Sequence, residues 1–365
     1  LASLTFLDPA CGSGNFLTET YLSLRRLENE AIRERYHGQM MMGEFVDAVK
    51  VSINQFYGIE INDFAVTVAT TALWISEAQM LTETEHIIHH DIDFLPLKSY
   101  TNIHEGNALR IDWETVVPKD HLNYIIGNPP FVGARLMSEN QKQDVIDIFG
   151  VKWKNVGNLD YVCCWYKKAA ELMKDAPQAR AALVSTNSIC QGEQVANLWQ
   201  KLFDDGIRIN FAYRTFRWDS EASLKAHVHC IIVGFSYQQV KPCFIYDGDR
   251  KIEAANINAY LIDGPDVFII GRPKPLCCIP EIGIGNLPID GGNYLFTKEQ
   301  MNEFIKIEPK SVSYFKLWYG SEEFIHRKPR YCLWLGDCSP AELRQMPNCL
   351  KRIEAVRLFR KESNL

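Results

Sequence analysis

Short runs of apolar residues alternate along the first two-thirds of the chain with longer stretches in which apolar positions recur every three or four residues. Residues 4–7 read as a short buried strand, and a helix begins near Asn15, with Phe16, Leu17, Tyr21, Leu24 and Leu27 at helical spacing. Residues 55–61 form a second strand ending in an acid, and 65–80 its crossover helix. Strands follow over 102–109 and 122–126, a helix over 160–173, a strand over 180–185 and a helix over 192–203. Residues 207–216 and 228–235 are two more strands with only a short connection. Such alternation predicts a parallel sheet with helices on both faces. The last two strands lack a crossover helix, which predicts an antiparallel hairpin at one edge.

The texture changes after residue 238. Residues 239–300 are rich in Pro, Gly, Asn and Asp and read as an irregular linker. Residues 301–365 recover a helical pattern, with Trp318, Tyr319, Tyr331 and Trp334 among basic residues. The expected division is a catalytic domain over 1–238, a linker over 239–300 and the start of another region over 301–365. There is no internal repeat.

Composition adds little to this picture. With 47% hydrophobic and 23% charged residues, the 365-residue chain has ample material for a core. No stretch approaches the roughly 18 uninterrupted apolar residues of a membrane span, and no signal peptide is visible. The eleven cysteines contain no Cys-x-x-Cys spacing, so reduced thiols and a cytoplasmic setting are expected. Residues 1–130 carry 8 Lys+Arg against 18 Asp+Glu, or −10; residues 131–300 carry 19 against 19; residues 301–365 carry 12 against 8, or +4. A nucleic-acid partner would therefore have to be met by a local patch.

Three constellations carry chemistry. Asp8-Pro9-Ala10-Cys11-Gly12-Ser13-Gly14 is a glycine-rich turn between strand and helix, where ligand atoms can approach backbone closely. Dinucleotide enzymes use a similar device. Glu60 ends the next strand, and an acid there can accept from vicinal ribose hydroxyls; it points to a nucleoside without choosing among them. Asn128-Pro129-Pro130-Phe131 directly follows an apolar strand. Two prolines stiffen the loop, so the Asn128 side-chain oxygen and the Pro129 carbonyl can face one planar amino group. Accepting both N–H protons frees the nitrogen lone pair to attack a methylsulfonium, while Phe131 stacks on the ring that carries the amine.

On Asp8–Gly14, Glu60 and Asn128–Phe131 the chain resembles the class I S-adenosyl-L-methionine-dependent amino-methyltransferases. The resemblance implies a seven-stranded Rossmann-like sheet, cofactor held by Asp8, Pro9, Ala10, Cys11, Gly12, Gly14 and Glu60, and catalysis at Asn128, Pro129, Pro130 and Phe131. The adenine-ring position would be Asn107–Ala108, although many relatives have Asp where Asn107 stands. Residues 128–135, 160–162, 185–188, 191–194, 216–218 and 330–335 narrow the resemblance to the MmeI-like type IIL restriction–modification enzymes. What this implies is methylation of adenine N6 in double-stranded DNA, in the gamma order of motifs. A nuclease and one further helix would lie before Leu1, and most of the recognition region after Leu365. No DNA cleavage and only weak cofactor binding are expected of these residues alone.

A flipped adenine needs a second aromatic opposite Phe131, and Phe216 or Trp218 lies at a suitable strand end; core packing explains them equally well. Arg135, Lys225 and His227 could meet phosphates or simply be solvated. His86-x-x-His89-His90-Asp91 lacks the partners of a metal site. Alternatives are an RNA or protein-glutamine N-methyltransferase, a non-catalytic DNA-recognition module and, more distantly, a nicotinamide dehydrogenase.

Overall fold

Five short strands run parallel in the order β3-β2-β1-β4-β5: β1 (Phe6–Asp8), β2 (Phe56–Glu60), β3 (Ile103–Glu105), β4 (Tyr124–Gly127) and β5 (Arg180–Thr186). The computed structural model describes residues 1–36, 49–89, 92, 102–150, 153–218, 228–272, 276–279 and 288–362, with backbone only at 36, 218 and 228. All three residues of β1 are buried, as befits a strand covered on both faces. On one face the rings of Phe6, Phe56 and Tyr124 stack at centroid separations of 5.1 and 5.2 Å. There α1 (Asn15–Tyr36) and α2 (Asp63–Ile88) close over them through Leu17, Tyr21, Ala69 and Leu73. On the opposite face Leu7, Ile59 and Ile125 pack with α3 (Glu139–Phe149), α4 (Cys163–Asp175) and the helical stretch 192–204. By length and composition α2 could cross a membrane; here its buried stripe Ala69, Leu73, Ser76, Met80, Thr84 and Ile88 packs inward.

The sheet continues with β6 (Arg208–Trp218) and β7 (Val228–Ser236). β7 lies antiparallel between β5 and β6, which completes the seven expected strands. Two corrections follow. The β6–β7 hairpin is not an edge, because β8 (Cys243–Asp247) joins β6 in parallel and β9 (Arg250–Ala254) pairs with β8, giving nine strands. The stretch 239–300 is accordingly not irregular throughout. Its Gly248-Asp249 pair is a two-residue hairpin turn with Gly248 at φ +58°, and Cys243 and Ile245 alternate into the core. Turn residues on both sides masked the strands between them.

The chain divides into two compact units, Leu1–Arg272 and Pro273–Leu365. The second holds a three-stranded antiparallel sheet, β10 (Leu295–Phe296), β11 (Phe315–Trp318) and β12 (Arg330–Leu333), in the order β10-β12-β11. Its core gathers Phe296, Phe304, Leu333, Met346 and Cys349, beside helices Lys298–Ile307 and Pro347–Glu362. The expected helical pattern is there, but strands of two to four residues are too short to show a period.

A buried polar knot fixes α1 against α2. Arg25 is fully buried, pairs with Glu28, and donates to Thr84 Oγ1 (2.7 Å) and the Met80 carbonyl (3.4 Å). Glu28 also accepts the backbone N–H groups of Lys50 and Val51, just ahead of β2. Removing one member of such a pair leaves the other charge buried alone. Arg25→Ala should therefore lower unfolding free energy by about 3–5 kcal/mol in urea titrations; a loss below about 1 kcal/mol would show that the knot contributes little.

Candidate active site

The strand order reverses between β1 and β4, since β2 and β3 lie on one side of β1 and β4 and β5 on the other. At such a switch point the loops leaving neighbouring strands diverge and open a crevice at their carboxyl ends. The glycine loop leaves β1 there and the Asn-Pro-Pro-Phe loop leaves β4. Topology alone makes them neighbours.

Most of the glycine loop is braced by the fold. Asp8 is 1% exposed, and its carboxylate accepts the Ala10 N–H at 3.0 Å. Burial first, and then the nearby Glu60 charge, push its pKa up to about 7, partly offset by the Ala10 hydrogen bond. The Pro9 carbonyl accepts from the Trp165 indole of α4 at 3.0 Å. Cys11 is buried against Gly58, where any Cβ would meet its Sγ at 2.8 Å. Burial pushes its thiol up, so it packs as a small inert side chain. Gly14, at φ +82°, sits on Ala69 of α2, whose Cβ an added methyl would meet at 3.0 Å. Gly12 differs: at φ +52° a Cβ would find nothing within 4 Å, so open space lies before its backbone.

Glu60 is tied into the same loop. Its Oε2 accepts the Gly12 N–H at 2.9 Å and its Oε1 the Asn62 N–H at 3.0 Å. Each carboxylate oxygen retains a further lone pair for a hydroxyl donor. The next loop is more heavily occupied. Asn107 uses its side-chain oxygen to accept the Leu109 N–H (2.9 Å) and its amide to donate toward Asp144 of α3 (3.4 Å). The Ala108 carbonyl accepts from the Trp113 indole and from Lys168 of α4, both at 2.8 Å. The Asn107 side chain and the Ala108 carbonyl thus both make hydrogen bonds within the protein.

At the end of β4, Gly127 faces the Asp8 carboxylate so closely that a Cβ would lie 2.4 Å from Oδ1. Asn128 follows, half-buried, with Pro129 buried and Pro130 exposed. The Asn128 side-chain oxygen is buried and has no hydrogen-bond partner. An unmet acceptor in a buried site costs about 1–3 kcal/mol. Phe131 is half-buried against the large core cluster, and the Val132 carbonyl accepts the Tyr161 N–H at 2.9 Å.

A family model for the DNA-methyltransferase domain of MmeI matches residues 1–247, and one for the MmeI target recognition domain matches residues 263–365. The chain belongs to the MmeI DNA-methyltransferase family. DNA methyltransferase A of Bacillus subtilis (strain 168) is 40% identical over 367 residues, covering 100% of this chain and 41% of that protein. The structure of the type IIL restriction–modification enzyme MmeI in complex with DNA matches with a TM-score of 0.87 and 43% identity, covering 100% of this chain and 49% of that one. The chain therefore spans less than half the length of these relatives. The recognition-domain match begins within the stretch read from sequence as linker.

Of the two aromatics proposed opposite Phe131, only the Phe216 side chain falls among the described residues. Phe216 ends up on β6, with β5 and β7 between it and β4, roughly 14 Å away by ordinary strand spacing. Its ring meets Tyr213 edge-on at 6.1 Å, next to a β-bulge. The Trp218 side chain lies outside the described residues, as do Lys225, His227, His90 and Asp91; Arg135 is exposed. Residues without an assigned role in the sequence turn out to matter: Gly127, Trp165, Lys168, Tyr161 and Asp144. The Ser138–Gln141 capping box that starts α3 was a readable signal for the helix that carries Asp144.

Asp8 gives this site a pH signature. Its folded pKa of about 7 stands above the ordinary 3.8, so between those values the folded state holds more proton than the unfolded one. Stability should fall as pH rises through that window, by up to about 4 kcal/mol for this one group. Asp8→Asn keeps the acceptor for Ala10 and should flatten the urea-unfolding profile between pH 4 and pH 8. An unchanged slope would mean that the carboxylate is already ionised in the fold.

Proposed function

We propose that this chain transfers a methyl group from S-adenosyl-L-methionine to the exocyclic N6 of an adenine flipped out of double-stranded DNA, as the modification part of a restriction–modification polypeptide. The observation that carries the reading is the buried Asn128 side-chain oxygen without a partner, one residue beyond the point where β4 meets the glycine loop. It supplies a fixed acceptor for an amino group, and the match to a target recognition domain over 263–365 supports DNA as the source of that group.

The residues present fit the cofactor. Gly12 leaves room for close approach of a ligand to backbone, and Glu60, already oriented by Gly12 and Asn62, has lone pairs left for ribose hydroxyls. When bound, S-adenosyl-L-methionine supplies an electrophilic methyl on a sulfonium. The chain supplies the rest. Asn128 Oδ1 and the Pro129 carbonyl accept the two N–H protons of the target amine, drawing its lone pair out of conjugation with the ring. Phe131 offers one face on which the base can stack. Extrusion from the helix is required because the amine is unreachable inside the duplex.

Incubating the chain with tritiated cofactor and unmethylated DNA, followed by nucleoside analysis, should yield N6-methyladenine. Asn128→Ala should lower the rate by about 10²–10³-fold, the usual cost of losing one aligned hydrogen-bonding group in a reaction centre, while leaving cofactor affinity within a few-fold. Label appearing on cytosine, on RNA or on protein would sink the reading, and so would an unimpaired Asn128→Ala variant.

A further inference from the structure

The two loops that flank the crevice from β3 and β4 have two strands between their parent strands, roughly 14 Å in the sheet. Among the described residues, side chains rather than a backbone ladder tie these loops beyond the strand ends: Lys168 of α4 donates to the Ala108 and Ile111 carbonyls of the β3 loop, and a buried carboxylate reaches toward both loops. Asp144 of α3, 4% exposed, accepts from Arg110 Nε at 2.8 Å, from the Tyr161 hydroxyl at 2.8 Å and from the Asn107 amide at 3.4 Å. Arg110 and Asn107 belong to the loop after β3. Tyr161 belongs to the turn before α4, and its N–H holds the Val132 carbonyl of the loop after β4 at 2.9 Å. The Tyr161 ring also packs edge-on against Trp165 at 5.3 Å, and the Trp165 indole holds the Pro9 carbonyl of the glycine loop.

We infer that Asp144 is a positioning residue that holds the β3 loop, the glycine loop and the Asn128–Phe131 loop in mutual register, and that Asn107 serves it as a strut rather than reading the cofactor's adenine with its side chain. The inference rests on the cofactor reading above. Its physical basis is that the fold already engages both ends of Asn107: the oxygen accepts the Leu109 N–H and one amide hydrogen points toward Asp144. The amide hydrogen left over is a donor, whereas an adenine amine needs an acceptor. A carboxylate that accepts from three directions also fixes its partners more firmly than a neutral acceptor would.

Charge exchange tests this directly. In the full chain, S-adenosylhomocysteine affinity is measured by calorimetry for the wild type, Asn107→Asp, Asp144→Asn and the double exchange. If Asn107 is a strut, Asn107→Asp sets two carboxylates against each other and Asp144→Asn sets two amides. Each should weaken binding by about 10- to 100-fold, the range for disturbing a hydrogen bond to a charged group. The exchange Asn107→Asp/Asp144→Asn reinstates a carboxylate–amide pair at these two positions while Arg110 and Tyr161 then face an amide, and should bind more tightly than either single variant. If instead Asn107 meets the adenine amine itself, Asn107→Asp binds as well as wild type or better, and the inference fails. An exchange variant as weak as the single variants overturns it equally. Tyr161→Phe removes only the hydroxyl link and gives a second readout: kcat on DNA should fall about tenfold or more, as misplaced reacting groups require, with cofactor affinity within a few-fold. Unchanged kcat there removes the link to the Asn128 loop. A wild-type chain that binds no nucleoside cofactor would overturn the proposed function, and this inference with it; a binding wild type with an indifferent Asn107→Asp overturns this inference alone.

Discussion

Gly127 carries no side chain, and the space a Cβ would take is filled by the Asp8 carboxylate, 2.4 Å away. That steric exclusion joins the end of β4 to the end of β1, and the rest of the crevice is arranged around it. With Asp8 over Gly127, the chain leaving β1 turns back through Ala10 and brings Gly12 onto Glu60 of the next strand. The chain leaving β4 enters two prolines with Asn128 just ahead of them. A methyl at position 127 would push on a buried acid whose neighbours are already close-packed, and overpacking of that kind costs about 1–3 kcal/mol. The two loops approach each other because nothing larger than hydrogen separates them at this point.

The arrangement carries a standing electrostatic cost. Asp8 is buried beside Glu60, and its carboxyl is pushed up to about 7. Among the described residues no lysine or arginine forms an ion pair with it. A fold selected only for stability would place an apolar side chain there. Acids held at a raised pKa in a cleft mark places where a ligand's charge changes the balance, and a sulfonium cofactor carries the sign that would offset both carboxylates. The large apolar clusters on either face of the sheet make this affordable: they hold β1, β2 and β4 through aromatic stacking and helix packing at some remove from the acids.

Much of this was legible in residue order, for identifiable reasons. β1, β2, β4, β5 and β7 are mostly apolar runs bounded by turn residues, β6 mixes apolar and polar positions, and the helices between them have repeating buried positions. Strand alternation thus gave the parallel sheet and its switch point, and the placement of Asp8, Glu60 and Asn128 followed from their being strand-terminal. What could not be read came from contacts distant in sequence. Asn107 is committed to Asp144, 37 residues on, and Pro9 to Trp165, 156 residues on; no local pattern announces either. The order in which strands pair is likewise not written in their composition, and β7 inserts between β5 and β6. The hairpin β8–β9 was hidden because Gly248 and its neighbours read as linker when they were turn.

An amide at position 128 makes electrostatic sense next to these acids. A carboxylate would be the stronger acceptor for an amine proton, yet here it would be a third negative group behind Asp8 and Glu60, in a place where burial already holds one acid half-protonated near neutrality. Like charges in a dry site raise one another's pKa, so an acid at 128 would spend part of its time as a hydroxyl that donates instead of accepting. The neutral oxygen of Asn128 accepts at every pH, and the protein bears the smaller cost of leaving it unmet, about 1–3 kcal/mol, which the amino group of the proposed reaction would relieve. The same reasoning explains why two prolines follow it. An acceptor weaker than a carboxylate must be held in place to withdraw a proton effectively, and a loop with two fixed φ angles loses little entropy in doing so.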